Sequence, residues 1–255
     1  MSIELHFHLL PGIDDGPSSV PESVELAAAA VADGTQLVLA TPHVHPAHVT
    51  DPGVIRESVR ELSHRLAAEH VELEVRAGGE LSHLMVGRLS QDELDLIAHG
   101  PAARRWVLLE TPFGGADKDF AEAADELRRR RFACVIAHPE RARPTPESAA
   151  TIRRELALGS VLQLTAASVT GDYGPEARAT ALELLHDSAP TVIASDAHGR
   201  RAGRMPALSA AIAELRRVGH PDPSRHVKSN PRALLTHGLA SRTSDVFVQV
   251  PGTVT

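Results

Sequence analysis

The stretch IELHFHLLPGIDDG, residues 3–16, introduces the pattern from which the fold can be predicted. Apolar residues lead up to His6 and His8, and a spacing of two places both imidazoles on one face of a β-strand. The Pro-Gly pair that follows predicts a turn into Asp14 and Asp15, which by themselves are ordinary turn residues. The first unit of the chain is therefore a strand that ends in metal-capable side chains.

Similar apolar runs recur along the 255 residues, separated by longer segments rich in Ala, Leu, Arg and Glu. This alternation of strand and helix predicts a mainly parallel α/β sheet. Because no Gly/Ser/Pro-rich linker interrupts it, we expect a single barrel-like domain over residues 1–240, followed by a poorly ordered tail over residues 241–255. The seven predicted strands are residues 3–8, 36–41, 71–77, 105–110, 132–138, 160–166 and 191–198.

Local signals predict where several helices begin. Ser19, with Glu22 three residues later, is typical of a capping box. Thr145 and Asn230 each precede a proline, which favours the first position of a helix. Residues 119–131 have acids early and arginines late, as the helix dipole favours, and residues 128–131 are predicted to be a solvated helix end.

Composition narrows the class of protein. A formal net charge of -7 argues against a nucleic-acid surface, because such surfaces neutralise phosphates with Lys and Arg. A single cysteine excludes an internal disulfide framework and is compatible with a reducing compartment. The first residues lack the basic region and apolar core of a signal peptide, and no apolar run reaches membrane-spanning length. We therefore expect a cytoplasmic protein without a membrane span or a nucleic-acid partner.

Nearly every predicted strand is followed by a metal-capable or acidic side chain. In (β/α) barrels the catalytic groups lie at the C-terminal ends of the strands, so residues far apart in sequence are expected to meet at one mouth. Burying several carboxylates and imidazoles together is costly unless cations neutralise them, which favours metal binding. A set without thiolates suits Mn²⁺, Fe²⁺ or Zn²⁺. The candidates are His6, His8, His43, His45, Glu80, Glu110, His138, Asp196 and His198.

Arg141 and Arg204 follow two of these strand ends and suggest an anionic substrate, of which phosphate is the common case. Without the metal candidates, surface salt bridges would explain both arginines equally well. A cysteine phosphatase is excluded, since the sixth residue after Cys134 is Glu140 and no glycine lies between them. We expect the Cys134 thiol to pack in the barrel interior beneath the site.

The order of these motifs resembles the PHP (polymerase and histidinol phosphatase) superfamily. PGIDDG and residues 164–171 are similar to the CpsB/CapC-type tyrosine phosphatases within it. The resemblance spans residues 3–237 and implies a distorted (β/α)₇ barrel, which agrees with the seven apolar runs. The matching motifs are His6-x-His8, Pro-Gly-Ile-Asp-Asp-Gly, Ala-Thr-Pro-His, Gly-Gly-Glu, Leu-Leu-Glu, Ile-Ala-His-Pro-Glu-Arg and Ala-Ser-Asp-Ala-His.

The resemblance also implies two or three divalent metal ions at the C-terminal ends of the strands, with Mn²⁺ favoured over Fe²⁺, Zn²⁺ or Co²⁺. The implied first set is His6, His8, Glu80 and Asp196, with Glu80 bridging to a second set completed by Glu110 and His138. The implied third set is Asp15, His43 and His198. Arg141 and Arg204 would be the catalytic arginines, Asp14 would remain a turn residue, and Glu4 stands where the family usually has aspartate.

The activity implied is that of a metal-dependent protein-tyrosine phosphatase of capsule or exopolysaccharide regulation, in which a metal-bridged hydroxide attacks phosphorus. Its substrate would be a phosphotyrosine protein, with a bacterial tyrosine kinase as a candidate partner. One alternative is a phosphatase of small phosphate monoesters, such as histidinol phosphate or a nucleotide. Another is a metal-bound barrel that binds phosphoproteins without turnover. A related amidohydrolase is disfavoured. Many such enzymes need a bridging carboxylated lysine at a mid-barrel strand end, and neither Lys118 nor Lys228 lies at one.

Overall fold

A computed structural model describes residues 1–186 and 189–241. Within these residues the apolar runs of the sequence form strands. The assignment of residues 1–240 to one domain stays a prediction, and the predicted tail lies outside the described residues from residue 242 onward. The strands are β1 (Ser2–Phe7), β2 (Thr35–Ala40), β3 (His43–Val44), β4 (Glu74–Ala77), β5 (Glu80–Ser82), β6 (Trp106–Glu110), β7 (Ala133–Ala137), β8 (Val161–Thr165) and β9 (Thr191–Ala194).

Helices follow most of the strands. Among the described residues, no helix is long and apolar enough to cross a membrane. The helices are α1 (Val20–Ala32), α2 (Gly53–Ala68), α3 (Gln91–Ile97), α4 (Lys118–Arg129), α5 (Pro146–Ala157), α6 (Ala166–Thr170), α7 (Pro175–His186), α8 (Leu208–Arg217) and α9 (Ser229–His237).

All strand pairs are parallel and form two sheets, with the orders β1-β2-β4 and β3-β5-β6-β7-β8-β9. Two residues separate β2 from β3 and β4 from β5, so each short strand continues the line of the longer one. Across this junction Gly78 N–H donates to Ala40 O at 2.9 Å and Glu80 N–H donates to Pro42 O at 3.1 Å. The strands therefore occupy seven positions, which confirms the predicted number.

The first and last strands bring the two sheets together. Phe7 forms an isolated parallel bridge with Ala197, and His8 N–H donates to Ala197 O at 3.0 Å. Asp196 N–H donates to His6 O at 3.1 Å. The contact at this edge is thus a bridge with flanking hydrogen bonds and not a continuous ladder. The arrangement is barrel-like, and the predicted α/β class with parallel strands is confirmed.

Two apolar layers lie on opposite faces of the strands. The outer cluster joins strand residues such as Val107 and Ile136 to helix residues such as Leu26 and Phe120. The inner cluster contains residues of the strands and of α9 and fills the space that the strands enclose. Its members are Ile3, Leu5, Leu37, Leu39, Trp106, Leu108, Ala133, Val135, Ala137, Val161, Val192 and Leu234.

Cys134 belongs to the outer cluster. Its predicted role in core packing is confirmed, because it is buried and burial raises the pKa of its thiol to about 12. The predicted direction of the thiol, into the barrel interior beneath the site, is wrong. Alternation along β7 sends Ala133 and Val135 inward and therefore Cys134 and Ile136 outward toward the helices.

Arg128 departs from the predicted solvated helix end. Its side chain is 2% exposed and forms ion pairs with Glu155 of α5 and with Asp125, the latter at 3.1 Å. Arg129 next to it does remain exposed, in an ion pair with Glu126. The sequence of α4 alone does not reveal this difference, because the main partner of Arg128 lies on another helix.

The predicted helix starts have mixed outcomes. Thr145 caps α5 as predicted, accepting the N–H of Ser148 at 3.0 Å. Ser19 stands at the N-cap of α1, but Glu22 accepts its hydrogen bonds from Ser18 and no capping box forms at Ser19. Asn230 lies inside α9, so the helix start predicted there is wrong; its amide donates instead to the backbone at the start of β9.

Replacing the single tryptophan tests how much the inner cluster contributes to stability. Trp106 is fully buried and its Nε1–H donates to Leu234 O at 3.0 Å. We expect Trp106→Ala to lower the free energy of unfolding by about 3–5 kcal/mol, because it leaves a cavity and an unpaired carbonyl. Trp106→Phe, which keeps most of the ring, should cost less. Denaturant unfolding followed by circular dichroism measures both, and equal stability of Trp106→Ala and wild type would contradict this role.

Candidate metal centre

The C-terminal ends of the strands bring together all nine side chains that the family resemblance implies as metal ligands. They form overlapping groups in which each residue offers a ligand atom within 4.8 Å of the others. His45, a tenth candidate from the strand ends, is in none of these groups, and its Nδ1 accepts the backbone N–H of Ala47. The groups are His8, Asp15, His43 and His198; His6, His138 and Asp196; His6, His8 and Glu80; and His43, Glu80 and Glu110.

Glu80 occupies the middle of the cluster and is almost fully buried. Its Oε1 lies 2.7 Å from His138 Nε2, and its Oε2 lies 2.9 Å from His43 Nδ1 and 3.2 Å from His6 Nε2. Despite these contacts, no group among the described residues meets the geometry of a hydrogen bond to Oε2. A buried carboxylate oxygen without a donor is costly, and a cation would satisfy it.

Two glycines allow Glu80 to reach this position. A Cβ atom on Gly79 would lie 2.8 Å from Val44 Cγ2 and 3.0 Å from Ile97 Cγ2. A Cβ atom on Gly78 would lie 2.8 Å from His99 Nε2. The Gly-Gly pair between β4 and β5 is therefore needed for a close approach of chain segments directly before Glu80.

His6 and His8 are oriented by partners behind their rings. His6 Nδ1 lies 2.7 Å from Gln163 Oε1, and His8 Nδ1 lies 2.6 Å from Asp14 Oδ2. Since both partners are acceptors, each Nδ1 carries a hydrogen, which leaves Nε2 as the nitrogen of each ring that faces the cluster. The two Nε2 atoms face each other at 3.1 Å and lie 3.3–3.4 Å from Asp196 Oδ1. Two facing imidazole nitrogens beside carboxylates are the donor set that a divalent cation fits.

Asp14 has a larger role than the predicted turn residue. Its side chain is fully buried; Oδ1 accepts the N–H of Gly16, and Oδ2 contacts His8 and accepts the N–H of His43. Burial alone would raise the pKa of Asp14, but the charge and hydrogen bond of His8 outweigh it and lower the pKa to about 2. Asp14 thus orients one candidate ligand and anchors the backbone of another.

Gln163 is a second residue that sequence reasoning missed. It lies on β8 and is fully buried, and its only signal in the sequence is a polar side chain within the apolar run VLQLT. The amide oxygen faces His6, as described above, and the backbone carbonyl of Gln163 accepts the N–H of His138 at 2.7 Å. One residue therefore positions two candidate ligands.

Two candidate ligands have left-handed backbone conformations. His138 has φ 38° and Asp196 has φ 52°, which is uncommon for residues other than glycine. His138 follows β7, where Cys134 and Ile136 point to the outer cluster. The left-handed residue interrupts that alternation and lets the imidazole reach Glu80. Backbone strain of this kind is typical of functional sites held in place by the surrounding structure.

The pKa shifts of the remaining groups reflect burial and crowding. Burial and the negative charge of Glu80 raise the pKa of Glu110 to about 7. Burial and the positive charge of His8 lower the pKa of His198 to about 4, although Asp15 Oδ1 lies 3.1 Å from its Nε2. A cation held between such groups would offset the repulsion between the carboxylates.

Arg141 and Arg204 lie at the mouth of the cluster and are mostly shielded from solvent. Both guanidinium groups form ion pairs with Asp196 Oδ2. The other oxygen, Oδ1, faces His6 and His8. The two arginine ion pairs are therefore not the surface salt bridges that the sequence left open. Their catalytic roles stay a prediction, as does the division of the ligands among three ions, because His8 and His43 each belong to two groups.

Asp14→Asn tests whether this carboxylate supports metal binding. The amide keeps the size of the side chain but presents a weaker acceptor to His8 Nδ1 and loses the charge. We expect the affinity for Mn²⁺ to fall by roughly 10- to 100-fold, the range found when such supporting partners are mutated. Titration calorimetry on metal-stripped protein measures this. Asp51→Asn, at an exposed turn, is the matched control, and equal affinities for both variants would contradict the role of Asp14.

Glu4→Gln tests a pH dependence of stability. Glu4 is fully buried, and burial raises its pKa from 4.5 to about 8 although it accepts the N–H of Ser195. The folded protein then keeps a proton that the unfolded chain loses, so stability should fall as the pH rises from about 4.5 to about 8. In metal-stripped protein, the unfolding free energy of Glu4→Gln should vary less over this window than that of wild type. Identical pH profiles would be inconsistent with a protonated Glu4.

Comparisons with known proteins agree with this geometry. The family model for capsular polysaccharide synthesis proteins of the CpsB/CapC type matches residues 2–236. The tyrosine-protein phosphatase YwqE from Bacillus subtilis is 31% identical over 197 residues, which cover 77% of this chain and 77% of YwqE.

Solved structures also match. One chain from the crystal structures of YwqE from Bacillus subtilis and CpsB from Streptococcus pneumoniae, described as unique metal-dependent tyrosine phosphatases, superposes with a TM-score of 0.80 and 27% identity. It covers 94% of this chain and 98% of its own. The phosphotriesterase homology protein from Escherichia coli, with a TM-score of 0.61, 13% identity and coverage of 90% and 97%, shares the fold alone. The chain therefore belongs to the CpsB/CapC family.

Proposed function

We propose that this protein is a metal-dependent protein-tyrosine phosphatase that acts in capsule or exopolysaccharide regulation. The observation that carries the proposal is the buried cluster around Glu80, in which nine candidate ligands converge beside two arginines. The family membership adds support, because relatives in this family are named tyrosine-protein phosphatases.

The donor set of imidazole nitrogens and carboxylate oxygens fits divalent cations. Each oriented imidazole directs its Nε2 at the cluster, and one oxygen of Glu80 lacks a donor among the described residues. We propose two or three ions held by His6, His8, Asp15, His43, Glu80, Glu110, His138, Asp196 and His198, with Mn²⁺ favoured among metals that accept mixed nitrogen and oxygen ligands. Bound ions of this kind supply Lewis acidity and make coordinated water nucleophilic near neutral pH.

The arginines would bind and orient the phosphoryl group. Arg141 and Arg204 direct two guanidinium groups at the same oxygen of Asp196, so two permanent positive charges stand at one side of the cluster. Charge-assisted hydrogen bonds from them would hold phosphoryl oxygens and stabilise the charge that develops in the transition state. A phenolate leaving group, with a pKa of about 10, needs less proton donation than an alkoxide does.

A phosphotyrosine protein is the substrate that we propose, with a bacterial tyrosine kinase as a candidate source of it. The cytoplasmic location stays a prediction from the sequence. The small-ester alternative differs in its leaving group, so comparing a phosphotyrosine peptide with histidinol phosphate at equal enzyme concentration separates the two. A higher kcat/KM for histidinol phosphate would favour the alternative.

Removing ligands or metal tests the activity directly. We expect His6→Ala and Asp196→Ala to lower phosphotyrosine hydrolysis by at least about 100-fold, because each removes a donor from the centre of the cluster. Chelator treatment of wild type should have the same effect, and adding back Mn²⁺ should restore the activity of wild type but not of His6→Ala or Asp196→Ala. His64→Ala, an exposed histidine on α2, is the control, and circular dichroism checks folding. Full activity of chelator-stripped protein would overturn the proposal.

A further inference from the structure

A cavity of about 970 Å³ opens directly beside the candidate metal centre. It lies between the chain that follows β7, the helix α5 and the helix α7, and is here named the α5–α7 groove. This volume is near the upper end of the roughly 300–1,000 Å³ found for pockets that enclose drug-sized ligands. The groove therefore offers more room than the phosphorylated ring of one tyrosine requires.

Arg141 connects the groove to the metal centre. It lines the groove and forms an ion pair with Asp196. Its guanidinium carbon lies 4.6 Å from the centroid of the Tyr173 ring and 5.2 Å from that of Phe113. Phe113 is 59% exposed, in a chain of which only 3% is aromatic, and its ring stacks toward His138 with 6.3 Å between centroids. Two aromatic rings thus flank the guanidinium group that contacts both the centre and the groove.

The floor of the groove is apolar. It is lined by Ile152 and Leu156 of α5 and by Ala177 and Leu184 of α7. These apolar side chains do not bind a phosphate, and they favour a ligand whose own apolar side chains leave water on binding. An occupant that continues from the phosphotyrosine into the groove therefore needs apolar side chains of its own.

The rims of the groove carry opposite charges. Arg143 and Arg153 lie on the side of α5, whereas Glu176 and Glu183 lie on α7. None of these four residues forms an ion pair within the part of the chain that the structure describes. A polyanion such as a nucleotide would meet the carboxylates of α7, but a polypeptide can match both rims.

We propose that the α5–α7 groove binds the polypeptide segment adjoining the phosphotyrosine, with an acidic side chain facing Arg153 and an apolar one on the floor. The inference rests on the proposed phosphatase function and assigns that function to protein substrates. The segment leaves the metal centre beside Arg141 and its two flanking rings, while the phosphoryl group occupies the centre. Small aryl phosphates use the centre alone.

Arg153→Glu tests the groove without touching the metal centre. The substrates are phenyl phosphate and a phosphotyrosine peptide with Glu and Leu residues on both sides of the phosphotyrosine. We expect the variant to lower kcat/KM for the peptide by roughly fivefold, through a raised KM, because attraction at an exposed rim becomes repulsion. The kcat/KM for phenyl phosphate should stay within a factor of about two, since no charge near the phosphoryl site changes. Arg232→Glu, an exposed arginine on α9, is the matched control.

A reversed peptide sharpens the test. Replacing the Glu residues of the peptide by Lys should reverse the order of the two proteins, so that Arg153→Glu has a higher kcat/KM than wild type. Equal peptide kinetics for wild type, Arg153→Glu and Arg232→Glu would overturn the groove proposal, as would equal losses on both substrates. Absence of phenyl phosphate hydrolysis by metal-loaded wild type would instead overturn the proposed function on which the groove proposal rests.

Discussion

The buried carboxylate of Glu80 is the constraint on which the rest of the site depends. It contacts the imidazoles of His6, His43 and His138, and one of its oxygens has no hydrogen-bond donor among the described residues. Such a group is costly in an apolar interior unless positive charge compensates it. Divalent cations would supply that charge, so the ions proposed for catalysis would also stabilise the folded centre. Gly78 allows chain segments to approach closely next to Glu80. Asp14 orients the ring of His8 so that its Nε2 faces the cluster.

Parallel strands explain how distant residues reach this carboxylate. Their C-terminal ends lie at one edge, where the strands stop and side chains turn inward. Below that edge the inner cluster, with Trp106 at its base against α9, holds the strands in register. A rigid apolar layer can then support strained residues such as His138 and Asp196 above it. The apolar and polar ends of the barrel-like interior therefore have separate roles.

Much of the site was predictable because its signals are local. Eight of the nine candidate ligands lie in or shortly after apolar runs, where periodicity and side-chain type identify them, whereas Asp15 followed only from the family resemblance. The contributions of Gln163 and Asp14 were not predictable in this way, since each depends on a partner from another strand or loop. The burial of Arg128 has the same origin, because Glu155 reaches it from a neighbouring helix. Through-space partners of this kind leave no periodic trace in a single sequence.

The sequence by itself determined the number of strands, their parallel arrangement and the chemical identity of the donor set, because hydrophobic period and ligand type are properties of short segments. Only the tertiary structure decided where those donors point. The left-handed backbone conformation of His138, directly after β7, turns its side chain inward although Cys134 and Ile136 face outward. The tertiary structure also decided that Arg141 contacts both the metal centre and the α5–α7 groove. Backbone dihedrals and contacts between distant segments are set by the packing of the whole chain, which no local pattern records.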